Sequence, residues 1–117
     1  MARTDDRTTE VEVELDIFSG RSNPRWTLAA DRAQALTALI EQGSAAEWRE
    51  PPGLGYRGFV LTTEDSRTRL YRGVLAISRG DRTVYRGDAQ ALEELLLQQA
   101  REHGYGEVLD AFGAAPR

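Results

Sequence analysis

The sequence predicts an α+β fold: a two-layer β-α-β-β-β-α arrangement with a four-stranded, mostly antiparallel sheet and two helices packed on one face. Three observations carry this expectation. Residues 10–17 alternate strictly, with Val11, Val13, Leu15 and Ile17 on one side and Glu10, Glu12, Glu14 and Asp16 on the other, which is the period of a half-buried strand. Residues 88–103 place Leu92, Leu95, Leu96 and Gln99 at helical spacing. Between these segments lie three strand-like runs joined by connections so short that the runs must be antiparallel neighbours.

Taken in order, residues 1–9 (MARTDDRTT) are polar and read as a disordered lead-in. The first strand follows over residues 10–17. Its four acidic side chains repel one another unless arginines of a neighbouring strand oppose them; the arginine-rich strands downstream can supply these, and a solvated acidic face is the equal alternative. Residues 18–26 (FSGRSNPRW) form a dense loop of turn formers, two arginines and two aromatics. A helix is expected over residues 28–42, with Ala29, Ala33, Leu36, Leu39 and Ile40 as its apolar stripe. Thr27 is its expected cap, Asp31 favours its first turn and Gly43 stops it. In the connection over residues 44–55, Pro51-Pro52-Gly53 breaks regular structure and Trp48 is expected to cover one end of the core. The three strand-like runs span residues 56–62, 70–78 and 83–86, with Gly80-Asp81 as a two-residue hairpin turn. Asp88 is expected to cap the final long helix, which Gly104 ends. Residues 105–112 add a short helical turn before a frayed tail over residues 113–117. The globular part is thus a single domain over residues 10–112, long enough to bury about two-thirds of its unfolded surface.

Composition removes several chemistries. The chain has no cysteine, so disulfides, thiol nucleophiles and zinc–thiolate sites are excluded. It has no lysine either; all 15 basic residues are arginine, which excludes Schiff-base chemistry and a P-loop lysine. Together with the alanine and glycine content, this bias points to a high-GC bacterial genome. Net charge is −4, which argues against nucleic acid as a partner. The charge is uneven, however: seven arginines fall between residues 57 and 86, so a local anion site is compatible with the acidic whole. No 18-residue apolar run is present, and residues 1–9 lack the basic and apolar parts of a secretion signal, so a cytoplasmic location and no membrane partner are expected. No metal-ligand spacing, Walker loop or dinucleotide fingerprint occurs, and neither a cofactor nor a metal is expected.

Two features carry the candidate site. Tyr-Arg-Gly occurs three times, at Tyr56-Arg57-Gly58, Tyr71-Arg72-Gly73 and Tyr85-Arg86-Gly87, each in or at the end of one of the three runs. With the runs as drawn, Tyr56 and Tyr85 share one end of the sheet and Tyr71 lies toward the other, so the three tyrosines do not cluster. The loop over residues 18–26 precedes an expected helix N-terminus, whose unpaired amides together with Arg21 and Arg25 would make an anion or carboxylate site. The equal alternative is a structural loop in which Phe18 and Trp26 plug into the core, Gly20 is left-handed, Asn23-Pro24 turns the chain and Arg21 bridges to an acidic residue. The expected ligand contacts are Phe18, Ser19, Arg21, Asn23, Trp26, Tyr56, Arg57, Arg72 and Tyr85. No catalytic residue stands out. His103, the single histidine, sits at a helix C-terminus where its cation is favoured, a position that suits a helix-end cap. Glu93-Glu94 and Asp5-Asp6 are adjacent in sequence and do not converge, and Arg79-Gly80-Asp81 is best read as a hairpin turn.

The string FSGRSNPRWTL resembles the F-S-G-R-P-N-P-x-W motif of a family of small uncharacterised proteins from actinobacteria and some fungi, which also carry a later L-G-Y-R-G-F segment, here residues 54–59. Ser22 stands where that motif has proline, which loosens the loop. The resemblance covers about a fifth of the chain. It implies no catalytic residues, but it does imply that the loop and Tyr56-Arg57-Gly58 belong to one design. The functional expectation is a binding or accessory module for an anionic small molecule or peptide carboxylate. One alternative is a small enzyme of modified-peptide maturation, similar in size and expected bacterial source to proteins that form lysinoalanine crosslinks in lanthipeptides, working by substrate positioning. Another is a structural subunit that forms a homodimer through sheet edges or a helix face.

Overall fold

In the computed structural model of the chain, the structure describes residues 10–18, 22–28, 34, 38, 44–51, 53 and 55–111. Among these lie six strands: β1 (Val11–Leu15), β2 (Arg25–Leu28), β3 (Phe59–Thr62), β4 (Arg67–Tyr71), β5 (Val74–Arg79) and β6 (Arg82–Arg86). Two helices follow, α1 (Gln90–Glu102) and α2 (Gly106–Ala111). The strands form one sheet in the order β2-β1-β3-β4-β5-β6, and every neighbouring pair is antiparallel. The architecture is α+β, as expected, but the sheet has six strands rather than four.

Both additional strands have local causes. β2 falls inside the segment read as loop and helix start. Its four residues alternate Arg25 out, Trp26 in, Thr27 out, Leu28 in, and they pair with β1 from Val11↔Leu28 to Glu14↔Arg25. Thr27 and Leu28 are therefore strand residues, not a helix cap and first turn. The rest of the helix expected over 28–42 falls largely outside the described residues, of which Gln34 and Ala38 are helical. The run over 70–78 is two strands, because Arg72 and Gly73 both take positive φ (52° and 77°) and close a two-residue hairpin between Tyr71 and Val74. The Gly80-Asp81 turn joins β5 to β6 as expected, with Arg79 opposite Arg82.

The core lies on one face of the sheet. Val13 and Leu15 of β1, Trp26 of β2, Phe59 and Leu61 of β3, Leu70 of β4 and Leu75 of β5 pack with Leu92, Leu96 and Ala100 of α1 and with Leu109 of α2. The helix stripe is displaced from the expected one: Glu93 is buried and Leu95 is exposed. Asp88 does not cap α1. The cap residue is Ala89, without a side-chain bond, and the Asp88 carboxylate accepts instead from Ser44 Oγ at 2.8 Å. At the other end, Gly104 (φ 95°) lets its own amide reach Arg101 O and the Tyr105 amide reach Ala100 O, the double bond of a Schellman stop.

The opposite face is crossed by the connection that precedes β3. Ala45 bridges to Arg86 at the β6 edge, and further along Trp48 lies over Arg69 of β4, with Arg69 Cζ 4.9 Å from the ring centre. Trp48 therefore sits on this second face rather than at an end of the core. Val60 and Ala76 share the face and are only 5% and 7% exposed. Among the described residues no helix is long and apolar enough to cross a membrane.

Candidate functional site

The β1–β2 loop is held by side chains of its own residues and by Arg57. Asn23 Oδ1 accepts from the amides of Ile17 (3.1 Å) and Phe18 (2.8 Å), while its Nδ2 donates to Glu14 Oε2 (2.8 Å) and Asp16 Oδ1 (3.4 Å). The Leu15 amide reaches Pro24 O at 2.9 Å. Past the end of β1 the ladder to the β3 side continues in backbone bonds, with Asp16 N to Gly58 O at 2.9 Å and Arg57 N to Asp16 O at 2.8 Å. The Arg57 guanidinium then locks the corner: Nε and Nη2 both donate to Asp16 Oδ1 (3.1 and 2.8 Å), Nη2 also to Phe18 O (2.7 Å), and Nη1 to Gly53 O (2.6 Å). A planar, five-donor group suits such a multi-point clasp in a way a lysine ammonium would not. The loop and Tyr56-Arg57-Gly58 thus form one structure. Ser19 and Arg21 lie outside the described residues.

The acidic face of β1 finds counter-charges on both sides, from Arg25 of β2 and from Arg57 in the run that leads into β3. Arg25 of β2 stands 3.8 Å from Glu12 and 3.6 Å from Glu14, and Arg57 takes Asp16. Beside this group, Glu10, Glu12, Thr27, Thr62, Thr63 and Glu64 line an open groove. Among the described residues, no group of three or more histidines or carboxylates is arranged to hold a metal ion.

The two loop aromatics turn inward. Phe18 is half-buried against the core. Trp26 stacks on His103 (ring centres 5.0 Å apart) and Tyr105 (6.2 Å), meets Phe59 edge-on, and donates from Nε1 to Gln99 Oε1 at 3.1 Å. This bond pairs the indole N–H with the carbonyl oxygen of the buried Gln99 side chain, and it fixes β2 against the end of α1.

A second polar cluster lies where β3 begins and β4 ends. The Tyr56 and Tyr71 rings are 6.0 Å apart. They meet because the run over 70–78 folds back at Arg72-Gly73, which brings the end of β4 beside the entry to β3; the expected separation of these two tyrosines does not occur. The Tyr56 hydroxyl donates to Glu93 Oε2, and the amides of Arg72 (3.3 Å) and Gly73 (2.7 Å) donate to the same carboxylate. Gly73 O in turn accepts from the Ala89 amide at the start of α1 (2.9 Å). Burial, followed by the adjacent Glu93 charge, pushes the Tyr56 hydroxyl far above the ordinary tyrosine range, so it stays protonated. Glu93, 8% exposed, anchors the β4–β5 turn to the helix. The signal for it was present in the sequence: position 93 follows Ala89 by one helical turn and precedes Leu96 and Ala100 on the same stripe. Arg72 projects from the turn, exposed, with its Nε 3.2 Å from the Tyr71 hydroxyl.

Tyr85 stands apart, opposite Ala76 on β6. Val84 and Tyr85 are 44% and 42% exposed, and β6 lacks the alternating burial of β1, β2 and β4. Of the expected ligand contacts, Asn23, Trp26, Tyr56 and Arg57 direct their polar atoms into the protein, whereas Arg72 and Tyr85 face solvent. Arg79, Arg82 and Val84 join the exposed set without having been singled out in the sequence, where Arg79-Gly80-Asp81 reads as turn chemistry alone.

No family model matches the chain, and neither the curated proteins nor the solved structures yield a match.

Proposed function

We propose that the chain is a small non-enzymatic binding module that recognises an anionic ligand, a peptide carboxylate above all, through arginine and aromatic side chains on the β4–β6 part of the sheet. The observation that carries this reading is the exposure of β6 from Arg82 through Tyr85, with Arg79 exposed opposite Arg82 and Arg72 exposed at the other end of β5. Exposed arginines with an adjacent tyrosine offer planar, multi-pronged contacts to carboxylates and a flat surface for apolar parts of a ligand. The β1–β2 loop takes a supporting role in this reading. Arg57 and Asn23 spend their donors within the protein and keep the entry to β3 in place. The resemblance of this loop and residues 54–59 to the F-S-G-R-P-N-P-x-W family supports a common design for the two segments. A bacterial, cytoplasmic setting belongs to the same proposal.

The reading is tested by following backbone amide shifts while citrate, and separately short acidic and neutral peptides, are added. Shifts confined to Arg72, Arg79 and residues 82–86, larger for the acidic peptides, are expected. No shifts with any probe, or shifts centred on the groove at Glu12 and Glu64, overturn it.

A further inference from the structure

We infer that the natural ligand is an acidic segment of another protein, bound in extended form as an added strand along the edge of β6 at Thr83, where nothing pairs among the described residues. This rests on the binding-module reading and gives it a geometry. The two-residue turn at Gly80-Asp81 makes Arg79 and Arg82 a hydrogen-bonded pair, so Arg82 and Val84 direct their backbone groups at β5. Thr83 and Tyr85 direct theirs outward. At the far end of the strand the protein already adds a short piece of chain to this edge, since Ala45 bridges to Arg86 and the Gly87 amide donates to Ser44 O at 2.6 Å. The connection then leaves toward Trp48 and Arg69 on the second face, and among the described residues nothing pairs with the edge at Thr83. Such an edge is a template for strand addition.

Side chains select the occupant. Val84 on the core side and Tyr85 on the other are both well exposed, so each face of an incoming strand meets a contact surface. Arg79 and Arg82 face each other across the β5–β6 pair, and both are exposed. Antiparallel pairing of two copies about Thr83 would set the two Arg82 side chains diagonally across the seam on one face, which like-charge repulsion disfavours. An incoming carboxylate opposite Arg82 and an apolar residue opposite Val84 fit instead. The expected segment therefore alternates an apolar residue and an acidic one along a single face.

The test uses the peptide Gly-Thr-Val-Thr-Glu-Glu-Gly, its glutamine counterpart and a backbone N-methylated version with the whole chain, read by amide shifts and hydrogen exchange. Strand addition predicts slowed exchange of the Thr83 amide with the acidic peptide, loss of binding on N-methylation, and at least about tenfold weaker binding to the Arg82→Glu variant. Arg82→Gln serves as a milder variant should charge reversal disturb the fold. Equal binding of the acidic and N-methylated peptides, or binding without protection of Thr83, overturns strand addition but leaves the binding-module reading standing, whereas equal binding of the acidic and glutamine peptides overturns both. Protection of Thr83 that rises with protein concentration in the absence of peptide overturns it in favour of self-pairing. No shift with any peptide or with citrate removes both.

Discussion

The hydroxyl of Tyr56, at the entry to β3, donates to the carboxylate of Glu93 on α1 and so closes one end of the sheet onto the helix. Removing the donor with Tyr56→Phe leaves Glu93 with two backbone amides and one oxygen less well satisfied. The expected cost is about 1–3 kcal/mol, measured by urea unfolding at neutral pH.

The same pair sets a limit at high pH. In the unfolded chain Tyr56 ionises near the ordinary value of about 10, while in the folded protein burial and the Glu93 charge hold it protonated well beyond that. Its contribution is therefore complete below about pH 10 and declines as pH rises above it, where only the unfolded state loses the proton. Unfolding midpoints taken from about pH 8 to 11 should fall more steeply in the wild type than in Tyr56→Phe; parallel slopes would contradict the assignment.

Asn23 joins two backbone amides to two carboxylates, so its two standard substitutions separate these roles. Asn23→Ala orphans the Ile17 and Phe18 amides and should cost about 1–3 kcal/mol at any pH. Asn23→Asp keeps the acceptor but sets a third carboxylate beside Glu14 and Asp16. Its loss of stability should be largest at neutral pH and diminish as the pH falls toward about 4, where carboxylates begin to protonate. Thermal melts at the two pH values distinguish the substitutions.

Arg57→Lys keeps the charge and loses the fork. One ammonium cannot reach Asp16 Oδ1, Phe18 O and Gly53 O in the geometry that Arg57 uses. A loss of about 1–3 kcal/mol is expected, accompanied by faster hydrogen exchange at the Phe18 amide. Unchanged exchange there would show that the clasp does not hold the loop.

Gly58 and Gly80 provide a matched comparison. Both have positive φ, 92° and 60°, but a Cβ at Gly58 would stand 1.9 Å from Leu70 O, whereas at Gly80 it would meet nothing within 4 Å. Gly80→Ala should cost about 1–2 kcal/mol from backbone conformation alone. Gly58→Ala should cost more than about 3 kcal/mol, or prevent folding, because β3 and β4 must separate to admit the methyl group.

What was legible in the sequence, and what was not, follows from how local each cause is. The strand β1 announces itself through an unbroken acid–apolar alternation, and Gly80-Asp81 and Gly104 mark their turn and stop because those backbone conformations need such residues. The Tyr-Arg-Gly repeat misleads, since the same three residues take three conformations. Tyr56-Arg57-Gly58 leads into β3 with glycine at positive φ, Tyr71-Arg72-Gly73 turns a hairpin, and Tyr85-Arg86-Gly87 finishes an edge strand. Reading the middle copy as strand merged β4 with β5 and displaced Tyr71 from Tyr56. β2 was hidden for a different reason: four residues are too few for a period to stand out beside a conspicuous turn motif. At the candidate site, Arg57 and Asn23 looked like ligand contacts because their partners, a carboxylate and several backbone groups, are brought to them only by the pairing of β1 with β3.

That pairing also divides the sheet in time. β3 through β6 are joined by short turns and can assemble as they emerge, and β1 and β2 form a hairpin of their own. The seam between these halves, with Leu15 opposite Phe59, joins residues far apart along the chain. Closing it costs the entropy of ordering everything between. Folding is then expected to be limited by this one seam, and until it zips, the inner edge of β1 and the apolar side chains of Val13 and Leu15 stand uncovered. The Asp16–Arg57 clasp sits at the end of that seam, where it acts as the catch that keeps the halves from reopening.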